Sequence, residues 1–188
     1  MTWNRIIGAF TFRKGVYSEV EHDTSFTTTA WLIVAIVAFL NQLGSFAKVD
    51  LLGWFLGAVV GTIFAVVGFA VAAAIISWVG KAVFHAEVSF DEVVRTLGLA
   101  YVWNVIGVLG ILGLVPALAC ILTPVIFIAG ILGLVAWFIA AKEALDLEWL
   151  QTIITVFLGW IALMIITALA GIVLGLLGFG AAAVGGLF

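Results

Sequence analysis

The chain carries very little charge. Only 9% of its 188 residues are Asp, Glu, Lys or Arg, against about a quarter in soluble domains, so it lacks the polar side chains that would cover a water-facing surface. It also has one cysteine and two prolines. Cys120, alone inside an apolar run, excludes an intramolecular disulfide and reads as a small buried hydrophobe. The formal net charge of −3 is too small to point to nucleic acid. Residues 1–23 contain Arg5, Arg13, Lys14, Glu19, Glu21 and Asp23 with no apolar stretch before a small-residue cleavage site. No secretory signal is read there, and the first hydrophobic run is expected to stay as a span. No phosphate loop, nucleophile elbow or HExxH motif occurs, so the expectation is a non-enzyme with no metal and no cofactor.

What fills the chain instead is apolar: 66% hydrophobic residues and a mean hydropathy of +1.39. A charge at the bilayer centre costs roughly 2.5–3.5 kcal/mol, so charge-free runs mark the spans. A hydrocarbon core of about 30 Å takes about 20 helical residues. The run 24–47 holds one span at about 27–46, and the run 51–80 holds another at about 57–80, with 51–56 and Trp54 at the interface. The run 96–141 would make roughly 70 Å of helix, so it must fold back. Gly113, Pro116 and Pro124 put the turn at 113–124, between spans at about 97–115 and 121–141. A fifth span covers about 149–174, followed by a Gly- and Ala-rich tail, 175–188. The predicted fold is all-α, a polytopic transmembrane bundle of about five spans, with residues 24–188 as one membrane domain behind a cytoplasmic amphipathic segment, 1–23.

Five spans place Arg5, Arg13, Lys14, Lys81, Arg95 and Lys142 on one side and Lys48 alone on the other. The excess puts the N-terminus in the cytoplasm and the C-terminus outside. On the cytoplasmic side, Trp3, Ile6, Ile7 and Phe10 share a helical face, as expected of an interfacial helix. Ser89 and Glu92 have capping-box spacing at the entry to the third span, and Asp146 reads as the N-cap of the fifth.

Small residues recur every fourth position at Gly53, Gly57, Gly61 and Ala65, again at Thr167, Gly171 and Gly175, and at Ala129 and Gly133. Such stripes let helices approach closely, either within the bundle or between two copies. Polar residues inside the spans are Asn41, Gln42, Thr62, Ser77, Asn104 and Thr167. Asn104, beside Tyr101 and Trp103, is a candidate for an intramembrane polar contact between helices. No Asp, Glu, Lys, Arg or His lies at mid-depth, which argues against a proton relay. His22 and His85 read as solvated edge residues. Glu19, Glu21, Asp23, Asp91, Glu92, Arg95, Lys142, Glu143 and Asp146 form a charged rim, either simply solvated or a face for a partner.

Three stretches carry a family likeness: residues 6–17, 90–103 and 137–155, the last reading WFIAAKEALDLEWLQTIIT. There an aromatic end to the fourth span is followed by the short charged turn Lys142-Glu143-Ala144-Leu145 and an amphipathic entry into the fifth. In these features the chain resembles the Yip1 family of five-span membrane proteins, whose eukaryotic members act in vesicle trafficking. The resemblance implies a non-enzymatic role in membrane organisation through lipids, further copies of the chain or other membrane proteins. The long N-terminal region and DLYGP-type acidic motif of the trafficking members are lacking, so a prokaryotic cell-membrane member is expected and contact with Rab-type GTPases is not carried over. The alternatives are an accessory subunit of a respiratory or photosynthetic complex, or a small-solute channel or permease in which Asn41, Gln42, Thr62 and Asn104 share one cavity.

Overall fold

A computed structural model describes residues 2–47 and 50–176. In chain order it forms α1 (Thr2–Phe10), α2 (Val16–Glu21), α3 (Phe26–Ser45), α4 (Leu51–Phe84), α5 (Phe90–Ala100), a 3-10 segment (Tyr101–Leu114), α6 (Pro116–Leu145) and α7 (Trp149–Leu174). No strand occurs among the described residues. Five crossings are long and apolar enough to span a bilayer: α3, α4, α5 continued by the 3-10 segment, α6 and α7. The five-span helical bundle read from the charge gaps is therefore the fold. Residues 177–188 of the tail, and Lys48, lie outside the described residues.

Several boundaries differ from those expected, each for a local reason. α4 begins at Leu51 rather than 57, because Asp50 caps it by accepting the Gly53 amide at 2.9 Å. The fold-back between spans three and four is confined to Val115 instead of covering 113–124. Val115 takes the extended conformation (φ −95°, ψ 108°) favoured before a proline. Pro116 then starts α6 at N1, where its missing N–H costs nothing, and the helix runs on through Pro124. Asp146 does not cap α7. It ends α6 in the left-handed region (φ 48°), while Glu148 and Gln151 form the capping box of α7. Cys120, expected to be buried, is exposed on α6. The capping box at Ser89 and Glu92 forms as read.

The third crossing departs most from expectation, because its second half is 3-10 rather than α over 14 residues. Such runs rarely exceed 3–4 residues, and they rise about 2.0 Å per residue. These 14 therefore cover about 28 Å, where an α-helix would cover about 21 Å. With three residues per turn, side chains three apart eclipse, and the sequence repeats in threes: Tyr101, Asn104, Gly107, Gly110 and Gly113 form one row. That row meets α3, where backbone lies on backbone: a Cβ on Gly44 would land on the Gly107 carbonyl oxygen, and one on Gly110 would come within 2.8 Å of the Gly44 oxygen. The next row, opened by Trp103, carries that indole against Gly133 of α6.

Phe69 of α4 centres the core, edge-on to Trp31, Tyr101 and Trp137 with ring centroids 5.6, 5.6 and 6.2 Å away. Such pairs add to the burial of their apolar area. α4 also packs along α7, with Gly68 beneath Leu163 and Gly159 beneath Ile76.

Candidate functional site

Among the crossings lies a half-open cavity of about 700 Å³. α3 contributes Asn41 and Gln42, α4 contributes Ala65 and Phe69, and the 3-10 segment contributes Tyr101 and Asn104. α6 lines it from Thr123 to Trp137, and α7 supplies Trp160, Leu163 and Thr167. No residue that lines it is ionisable near neutral pH. Its polar groups are three side-chain amides, a phenol and two threonine hydroxyls, set in a mainly apolar wall. Thr123 already donates to the Ala119 carbonyl at 2.8 Å. Gln42 is only 6% exposed, yet its Oε1 is buried without a hydrogen-bond partner among the described residues. A buried amide oxygen left so costs about 1–3 kcal/mol. Phe127 and Ile131, which line this half-open cavity on the α6 side, are exposed.

Of the four polar residues considered for a shared cavity, Asn41, Gln42 and Asn104 meet here. Thr62 does not; its hydroxyl bonds back to the Ala58 carbonyl at 2.6 Å. Asn104 faces this space instead of bridging two helices. Thr167 lines it too.

The opposite feature of the bundle is its charged end, where α1, α2 and the turns before α5 and α7 gather. Arg95 is the principal surprise there. It is 4% exposed, so it is no rim residue. Its Nε donates to the Val20 and Glu21 carbonyls at 3.1 and 2.9 Å, Nη2 donates to Glu21, and Nη1 donates to Thr27 Oγ1 at 3.2 Å. The guanidinium thus satisfies the carbonyls at the end of α2. Arg5 pairs with Asp23 at 2.6 Å and Arg13 with Glu19 at 2.7 Å. Lys142 donates to the Leu147 carbonyl at 3.1 Å and lies over the Trp149 ring. Glu21 sits near Glu92, Glu143 and Asp146, and its pKa is raised, first by burial. His22 is raised by its bond to the Ser18 carbonyl and by Glu21. Asp91 is exposed. Among the described residues, no three His, Cys, Asp or Glu side chains come together as a metal site.

α1 docks on this end with its apolar face split in two. Ile6 and Phe10 pack on the core, Phe10 and Phe12 meet the Trp103 ring, and the Trp103 indole donates to the Ala9 carbonyl at 3.3 Å. Trp3 and Ile7 remain exposed.

The family model of the Yip1 domain matches residues 7–172. The chain belongs to the Yip1 family. No curated protein matches it, and no solved structure does. In this Yip1 domain the small-residue stripe of α4 faces α3: Gly57 lies under the Phe46 ring, Gly61 lies under the Gln42 amide, and Ala65 borders the cavity. Gly53 meets its own cap, Asp50. Ala129 and Gly171 are buried, whereas Gly175 meets nothing within 4 Å. A backbone-to-backbone approach, between α3 and the 3-10 segment, uses glycines the four-residue spacing passed over, Gly44, Gly107 and Gly110. Their signal was the triplet repeat.

Proposed function

We propose that this Yip1-family chain is a non-enzymatic membrane protein that acts through helix packing and lipid or protein contacts, in membrane organisation. The observation that carries this reading is the uncharged, amide-bearing, half-open cavity, lined on the α6 side by the exposed Phe127 and Ile131. The outward Trp3 and Ile7 of α1 support it, since they supply a second contact at headgroup depth. The excess of basic residues at the α1 end supports an orientation with the N-terminus in the cytoplasm, and short loops support a prokaryotic cell membrane. The broad apolar outer faces of α6 and α7 would accept a second copy or another membrane protein. Native mass spectrometry of the full chain, released from its own membrane in mild detergent, tests the reading. Retained lipid or a co-released protein is the expected result; a bare monomer under all gentle conditions would overturn it.

A second reading, a small-solute permease, is favoured by one observation, the meeting of Asn41, Gln42 and Asn104 on a single cavity. Flux of glycerol and urea into proteoliposomes decides it, since a permease must exceed protein-free vesicles.

A further inference from the structure

We infer that the cavity is a binding site for a neutral lipid, an amphiphile whose head offers hydroxyl or carbonyl groups and no charge. The inference rests on the lipid-contact reading above and names the lipid class. Several observations carry it. About 700 Å³ lies inside the range of sites that enclose small organic ligands. Gln42, more than nine-tenths buried, also lines the cavity, though its unpartnered Oε1 packs toward Gly61 and is not open to a ligand. Asn41 and Asn104 add amides, each of which both donates and accepts, a match for a hydroxyl or ester head.

The charge pattern excludes the commoner membrane lipids. With no Lys, Arg or His among the lining residues, an ionised phosphate would enter a low-dielectric space without a counter-charge. The rest of the wall is apolar and aromatic, including Phe69, Trp137 and Trp160, suited to acyl or isoprenoid carbon. Entry needs no sealed wall to part, because the cavity is half open and Phe127 and Ile131 of its lining are exposed.

The test uses the full chain in phosphatidylcholine nanodiscs and two photoreactive probes with identical diazirine-bearing chains, a diacylglycerol and the corresponding phosphatidic acid. The diacylglycerol is expected to label peptides spanning 123–137 and 160–167 saturably, and the phosphatidic acid to label them at least about tenfold less. Gly130 lines the cavity, and a Cβ there meets nothing within 4 Å. Gly130→Phe should therefore fill the space without disturbing the bundle and abolish labelling. Helical content by circular dichroism confirms that the variant folds. Equal labelling by both probes, or labelling untouched by Gly130→Phe, overturns the inference. So does the absence of saturable labelling, whether the space is then dry or filled by a second copy seen as a dimer. If phospholipid still co-purifies in that case, the lipid-contact reading stands and only the cavity assignment falls.

Discussion

Gly44→Ala is the substitution whose outcome follows most directly from the geometry. Gly44 and Gly107 bring α3 and the 3-10 segment together backbone to backbone, and a methyl at position 44 would coincide with the Gly107 carbonyl oxygen. A flexible side chain could swing aside; a backbone oxygen cannot, so the two crossings must separate. Overpacking of this kind costs about 1–3 kcal/mol, and a rigid obstacle argues for about 3. Replacing Gly by Ala inside a helix returns roughly 0.5–1 kcal/mol. The net expectation is a loss of about 2 kcal/mol, roughly a thirtyfold shift in the unfolding equilibrium. Gly113→Ala supplies the control. Gly113 belongs to the same row, but a Cβ there meets nothing within 4 Å, so this change should be neutral or stabilise by up to roughly 1 kcal/mol. Both can be followed by titrating the protein in mixed micelles with dodecyl sulfate and recording circular dichroism. If Gly44→Ala unfolds with the wild type, or Gly113→Ala loses as much, the described contact between α3 and the third crossing is wrong.

Arg95→Met should cost about 1–3 kcal/mol by leaving the Glu21 carbonyl without its donor and the Val20 carbonyl with the Asp23 amide alone; Arg95→Lys should recover only part of it, because an ammonium cannot reproduce the fork. Unfolding titrations of both variants give the comparison. Ser89→Ala removes the cap of α5 and should destabilise by about 1 kcal/mol, visible as faster amide exchange confined to that helix's first turn. Trp103→Leu should release α1 from the bundle, read as hydrogen exchange rising in residues 2–10 while α4 and α7 stay protected. Asp23 is held below the usual aspartate pKa of 3.8 by the Ser25 hydroxyl and by Arg5. The stability this adds is complete above 3.8 and is lost as pH falls through the lowered folded value. A dye on Asn4→Cys, in a Cys120→Ala background, should therefore become more mobile on acidification below 3.8; mobility that rises toward alkaline pH instead would contradict the Arg5–Asp23 tie.

The number of crossings and the all-helical fold were legible because the cost of a charge in hydrocarbon is large and local, so charges mark span ends unaided. The Ser89–Glu92 box was legible for the same reason of locality. Arg95 was misjudged because sequence shows only that it lies beside Asp91 and Glu92, whereas the groups that bury it are the Val20 and Glu21 carbonyls, more than seventy positions away, and the Thr27 hydroxyl. Asn41, Gln42 and Asn104 could be marked as polar, but their meeting is a fact of packing among five crossings. The small residues of α4 were visible because their spacing suits an α-helix. Gly107 and Gly110 were overlooked because three-residue spacing is out of step with 3.6.

The third crossing keeps time in threes, and that sets which length changes it can absorb. One inserted residue between Asn104 and Gly107 turns everything beyond it by about 120°, swinging Gly107 and Gly110 out toward lipid and presenting a bulky row to α3. Four inserted residues, nearly harmless in an ordinary helix, would do the same. Three restore the alignment and merely lengthen the crossing by about 6 Å, so this stretch has a reading frame of its own.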